Sequence, residues 1–168
     1  MKTKKKRSQK QEKSVAKTFN AYLTPASGAF WGQKGDVRND KFLIECKTTE
    51  KDYYSLHAKT WEKIEKEAIR DHVRIPLLVI DIRDRDRLVV FKPNDLEDDS
   101  TAIYDVTKDW GDKVPKSRKI SIKELEKISE DYEAYVTGKL FMICDSKVNM
   151  LLYMRMKDFE NIYGEELM

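Results

Sequence analysis

The sequence predicts a single mixed α/β domain with a central sheet flanked by helices. Three observations carry that expectation. The chain has 168 residues, of which 40% are hydrophobic, enough for one buried core. Short apolar runs that read as strands alternate with segments of helical period. Charged residues make up 38%, well above the usual quarter, which predicts a strongly polar surface around that core.

The elements follow in order. Ser8 to Asn20 has Val15, Ala16 and Phe19 at helical spacing and neither Gly nor Pro, so it predicts a first helix. Tyr22-Leu23-Thr24 reads as a short strand ended by Pro25-Ala26-Ser27-Gly28. Asp36-Val37, the turn Arg38-Asn39-Asp40 and the run Lys41-Phe42-Leu43-Ile44-Glu45-Cys46-Lys47 have the spacing of a β-hairpin. Ser55 is expected to cap a helix reaching Arg70, with Trp61, Ile64 and Ala68 on its apolar stripe. Ile75 to Ile82 is nearly continuous in apolar residues, as in a strand covered on both faces. Leu88 to Phe91 is its return strand, and Asn94-Asp95-Leu96 begins a short helix.

Residues 98–119 are polar and aperiodic and are expected to be an irregular insertion. Ser121-Ile122-Lys123-Glu124 has the form of a capping box for a helix to about Tyr135. Leu140 to Cys144 and Val148 to Met154 form a second hairpin, and a helix near Lys157 to Tyr163 closes the chain. Leu78–Glu97 and Phe141–Glu160 echo one another, both running strand, turn, strand, then Asp-Leu-Glu or Asp-Phe-Glu. Two similar hairpin–helix units explain that without a repeat. The expected organisation is a basic flexible arm over residues 1–10, a core over 11–97, and a C-terminal α+β extension over 98–168 packed on the same domain.

Charge narrows the partners. The formal net charge is +3, yet residues 1–17 hold eight basic side chains against Glu12 alone, a local +7 that leaves −4 for the rest. A basic arm that includes Lys4, Lys5, Lys6 and Arg7 suits a polyanion, since each cation near a phosphate releases condensed counterions. A solubilising tail has the same composition. No apolar run approaches the ~20 residues of a membrane span, and the basic N-terminus is not followed by the apolar stretch of a secretory signal. Cys46 and Cys144, each inside an apolar run, are expected to be reduced and buried, as in a cytoplasmic protein.

The chemistry centres on Gly35-Asp36 followed, after eight residues, by Glu45-Cys46-Lys47. Side chains alternate along a strand, so Glu45 and Lys47 share a face while Cys46 points away. With Asp36 on the partner strand, two carboxylates approach each other and repel unless a cation lies between them. An oxygen-only site suits Mg2+ or Mn2+. A lysine beside such an ion can orient a bound water, and the chemistry implied is hydrolysis of a phosphodiester. A salt-bridged edge strand reads the same residues without catalysis. A second match, Asp145-Ser146-Lys147 with Asp131 upstream, fails because its members fall at a turn and in a predicted helix.

These residues, with Pro25-Ala26-Ser27-Gly28 and Glu12 in the first helix, resemble the PD-(D/E)XK nuclease superfamily. The likeness is greatest to archaeal-type and phage Holliday junction resolvases and covers roughly residues 10–95. It implies a restriction-endonuclease-like core and a Mg2+- or Mn2+-dependent endonuclease acting on branched DNA in recombination or repair. The enzyme would be a homodimer in the cytoplasm of a bacterial, archaeal or phage-infected cell. Carried across, Asp36 and Glu45 bind the metal with help from the Cys46 carbonyl, Lys47 positions or activates the attacking water, Glu12 is a further carboxylate ligand, and Ser27 contacts a phosphate or the bound water. Lys34, Arg38, Lys51 and Tyr53 are candidate DNA contacts. A nuclease for linear, flap or single-stranded DNA, and a non-catalytic nucleic-acid-binding module, remain alternatives. Phe30 and Trp31 are expected to be buried under the hairpin, with stacking on a base or wedging a strand junction as the alternative, and His57 and His72 have no paired ligand or nucleophile that would make them catalytic.

Overall fold

The computed structural model describes residues 4–24, 35–96, 103–105, 114–129, 137–144 and 147–167. Ser27 and Lys34 lie outside them, as do Phe30 and Trp31. The fold is mixed α/β, as expected. An eight-stranded sheet is built from β1 (Tyr22–Leu23), β2 (Val37–Arg38), β3 (Phe42–Thr49), β5 (Ile75–Ile82), β6 (Asp86–Phe91), β7 (Ile103–Asp105), β9 (Thr137–Cys144) and β10 (Lys147–Arg155). Its order is β1-β2-β3-β5-β6-β10-β9-β7, while β4 (Tyr53–His57) and β8 (Ser117–Ser121) form a separate two-stranded ribbon. The helices are α1 (Lys4–Thr18), α2 (Ala58–Arg70), α3 (Ile122–Ser129) and α4 (Met156–Leu167).

Alternation along the strands divides the core in two. On one face Phe42, Ile44, Cys46, Leu77, Val79, Val89, Phe91, Leu152 and Met154 pack beneath Val15, Phe19, Phe159 and Tyr163 of α1 and α4. On the other, Leu78, Ile80, Leu88, Val90, Leu151 and Tyr153 pack beneath Trp61 and Ile64 of α2 and Leu125 of α3. The parallel pairing of β3 with β5 is bridged by β4 and α2, the crossover that parallel strands require.

Four expectations need correction. Residues 4–10 are the first turns of α1 rather than a flexible arm, because Lys, Arg and Gln are good helix formers and Gln11 anchors the helix to the sheet (below). Ser55 caps no helix. It lies inside β4 opposite Lys119, and α2 starts at Ala58 with His57 as its N-cap, so pairing with β8 overrides the local capping preference. The insertion at 98–119 contains β7 and the start of β8. The C-terminal extension is not packed on a finished core: β10 pairs directly with β6, Leu152 opposite Phe91 and Arg155 opposite Leu88. Both cysteines are free and buried, as expected. No helix among the described residues is long and apolar enough to cross a membrane.

Candidate active site

The turn that builds the site is set by Asn39. Its Oδ1 accepts hydrogen bonds from the backbone N–H groups of Lys41 (3.0 Å) and Phe42 (2.7 Å), and its Nδ2 donates to the Phe19 carbonyl at 2.9 Å. This fixes an antiparallel register with Val37 opposite Ile44 and Arg38 opposite Leu43. Asp36 lies one residue before β2, where its N–H donates to the Ile44 carbonyl at 3.0 Å, and its carboxyl falls within the field of Glu45 on the neighbouring strand. Gly35, immediately before, has φ +73°, and a Cβ there would lie 2.9 Å from the Leu43 side chain. Glycine is required for the chain to turn into Asp36 at this spacing.

Asp36 Oδ2 accepts the Cys46 N–H at 2.8 Å, and Lys47 Nζ donates to Glu45 Oε1 at 2.6 Å. A second ammonium, Lys63 Nζ on α2, lies 3.4 Å from the same Glu45 oxygen. Burial pushes the Asp36 carboxyl above its usual range, and the charge of Glu45 adds to the rise. Burial pulls the Lys47 ammonium down, but the hydrogen bond and charge of Glu45 outweigh it and the net shift is upward. Lys47 therefore stays protonated at neutral pH, as a donor rather than a base. Tyr54 on β4 belongs to the same field. Its phenol is pushed up by burial, an effect that Lys47 opposes and Glu45 reinforces.

From the opposite face of the sheet α1 presents Glu12, whose Oε1 accepts from Ser8 Oγ at 2.8 Å and whose charge is felt by Asp36 and Cys46. Beside it, Gln11 is 2% exposed and donates from Nε2 to the carbonyls of Lys47 (2.9 Å) and Val79 (3.2 Å), tying α1 to the β3–β5 seam. Its Oε1 is a buried acceptor without a partner among the described residues. The Cys46 thiol faces this side, and burial raises its pKa well above the ordinary value, so it is not a nucleophile.

The expected set is thus brought together in part. Glu45 and Lys47 share one face, Asp36 is held beside them on the Cys46 N–H, and Glu12 comes from α1, but among the described residues no three His, Cys, Asp or Glu side chains converge as a metal cage. Each is otherwise engaged: Glu45 with two ammoniums, Asp36 with a backbone amide, Glu12 with Ser8. The donor chemistry fits a hard cation nonetheless, because Asp36, pushed toward protonation by burial first and by the charge of Glu45 second, offers with Glu45 two neighbouring carboxylates.

Of the expected DNA contacts, Arg38 is engaged by Asp71 (3.2 Å) and Arg7 by Glu50 and Asp84, so neither is a free phosphate ligand. Lys4, Lys5 and Lys6 are exposed on the first turn of α1. Lys51 lies over the Tyr53 ring at 5.4 Å, and Lys119, from β8, lies over the same ring at 4.7 Å. A cleft of about 450 Å3 lies beside this region, lined by Asp81, Arg87, Arg155 and Lys157 among others, and does not include Asp36 or Glu45. Glu45 instead lies on β3, between β2 and β5, and is 6% exposed.

Gln11, Lys63 and Lys119 were not singled out by the sequence. Gln11 had a legible signal, a polar residue on the stripe it shares with Val15 and Phe19. The two lysines had none.

The chain matches no protein-family model and no curated protein.

One expectation follows from Asp36. Its carboxyl titrates higher in the folded chain than unfolded, so its ionisation lowers stability. That loss is complete above the folded-state pKa, fades as pH falls through it, and is absent below about pH 4. Asp36→Asn keeps an oxygen for the Cys46 N–H and removes the charge. Without divalent ions it is expected to melt higher than the native protein at pH 7, with the difference vanishing toward pH 4. Thermal unfolding across that range measures it, and a lower melting temperature at pH 7 would contradict the reading that burial, with the charge of Glu45 second, disfavours the ionised carboxylate.

Proposed function

We propose that this chain is a divalent-metal-dependent DNA endonuclease of the PD-(D/E)XK type, acting on branched DNA such as four-way junctions. The observation that carries the reading is the Asp36 carboxylate held on the Cys46 N–H at 2.8 Å, next to Glu45, with Lys47 Nζ 2.6 Å from Glu45 Oε1. A purely structural strand needs neither the neighbouring carboxylates nor their cost in burial.

Asp36 and Glu45 would hold Mg2+ or Mn2+, with Glu12 and the Cys46 carbonyl as further oxygens. When bound, such an ion stabilises charge developing on the phosphoryl oxygens and acidifies a bound water. Lys47, kept protonated by Glu45, orients the attacking water with an N–H. One P–O bond forms to the water oxygen and the bond to the leaving oxygen breaks, the water's protons passing to that oxygen and to solvent. Gln11 fixes the backbone from which Lys47 projects. Ser27 and Lys34 keep the roles the resemblance implies.

Lys4, Lys5 and Lys6 on α1, with Lys51, Tyr53 and Lys119 on the ribbon, would contact the DNA backbone. Phosphate contacts supply affinity without reading sequence, so preference would come from DNA shape. Paired cuts across a junction need two active sites related by a two-fold axis, so this reading carries a homodimer with it, acting in the cytoplasm.

Labelled four-way junction and matched linear duplex, each incubated with and without Mg2+, test the proposal. Junction nicking that requires Mg2+ and exceeds duplex nicking is expected. Equal rates would end the junction preference, and no cleavage of either DNA would end the nuclease reading.

A further inference from the structure

We propose that Lys63 is a second lysine of this site, competing with the divalent ion for Glu45 and passing to a phosphate oxygen of the DNA once that ion is bound. The inference rests on the nuclease reading above and extends it to a residue outside the Glu-x-Lys pattern.

Trp61, Ile64 and Ala68 are buried and press α2 onto the sheet. This fixes the helix so that Lys63, at the edge of the buried stripe, reaches over Glu45. Its Nζ and that of Lys47 address the same oxygen, Glu45 Oε1, at 3.4 and 2.6 Å. The two ammoniums differ in setting. The Lys47 side chain is 37% exposed and projects from the strand that carries Glu45, while that of Lys63 is 56% exposed on a neighbouring helix. Lys63 also lies 3.8 Å from Glu67, an i,i+4 pair whose exposed lysine adds little to stability.

A buried carboxylate needs one partner cation. Two on one oxygen place more positive charge at Glu45 than its neutralisation requires, at the point where Asp36 supplies a second negative charge. A divalent ion binding Glu45 and Asp36 competes with the ammoniums for the charge of that carboxylate. Lys47 is confined by its strand, whose backbone Gln11 holds. Lys63 has a flexible stem and an open path to solvent, so it is the group released. An ammonium released beside the attacked phosphate is placed to bind a non-bridging oxygen, whose charge grows in the transition state.

The bland alternative is that Lys63 is a helix-surface lysine shared between two glutamates. Calorimetric titration of Mn2+ into the DNA-free protein separates the two. Lys63→Met is expected to bind Mn2+ tighter by roughly three- to tenfold, the effect of removing one nearby, partly screened positive charge. Lys63→Arg should bind as the native protein does, and so should Lys59→Met, which removes an exposed charge from the same helix. In parallel, Lys63→Met should slow Mg2+-dependent junction cleavage by about one to two orders of magnitude, with Lys63→Arg restoring much of the rate. Mn2+ binding no tighter in Lys63→Met, or cleavage at the native rate, overturns the role of Lys63 while leaving the nuclease reading standing. A native protein that neither binds Mn2+ nor cuts DNA overturns both.

Discussion

Glu45→Gln is expected to reduce Mg2+-dependent cleavage of branched DNA by at least about a thousandfold, since it removes both a metal ligand and the charge that holds Lys47. The substitution is nearly isosteric. Glu45 is 6% exposed, and a glutamine there keeps an oxygen within reach of Lys47 and Lys63. The fold should survive, and far-UV circular dichroism should match that of the native protein. Lys47→Met should lose cleavage to a similar degree while still binding Mn2+, because it takes away the water-orienting donor and leaves the carboxylates. This pairing separates metal binding from chemistry. Single-turnover cleavage with and without Mg2+ measures both variants, and a Glu45→Gln protein cutting at the native rate would remove catalysis from this strand.

Ending the chain after Glu97 is expected to abolish cooperative folding. The truncated chain would retain β3, β5 and β6, so a simple motif-bearing core would seem complete. But β6 would lose β10, its hydrogen-bonded neighbour, and each face of the sheet would lose part of its cover, α4 on one and α3 on the other. Val89 and Phe91 pack with Leu152, Met154, Phe159 and Tyr163, and Leu88 and Val90 with Leu140, Met142, Leu151 and Tyr153. Loss of one buried Phe such as Phe159 costs about 3–5 kcal/mol, against a total stability of about 5–15 kcal/mol for a typical domain. Removing the whole set exceeds any reasonable reserve. A thermal unfolding scan should show no sigmoidal transition for residues 1–97, and a sharp one would mean that the C-terminal part is an appendage after all.

How far the sequence could be read follows from which forces acted locally. The β2–β3 hairpin was legible because Asn39 makes its turn through contacts within three residues, and β5, β6, β9 and β10 because strands in a covered sheet need apolar runs. That same hairpin fixes Asp36 and Glu45, so the centre of the candidate site could be read from spacing. β4 and β8 were not legible. Ser-Arg-Lys-Ile-Ser contains one apolar residue, Ile120, and becomes a strand only because Tyr53–His57 lies beside it. The same long-range pairing turns Ser55 from a plausible helix cap into a strand residue. The helical state of Lys4–Lys10 was hidden for a different reason, since a run of lysines is compatible with both a tail and a helix until Gln11 docks. Lys63 and Lys119 reach their neighbours only through tertiary placement of α2 and β8, which spacing along the chain does not encode.

Crystals soaked in Mn2+, with diffraction recorded at an energy where manganese scatters anomalously, put the central claim to its most direct test. The account predicts an anomalous peak bounded by the carboxylates of Asp36 and Glu45, with the ammonium of Lys63 withdrawn from Glu45. Manganese bound elsewhere on the protein with nothing between those two side chains would contradict it.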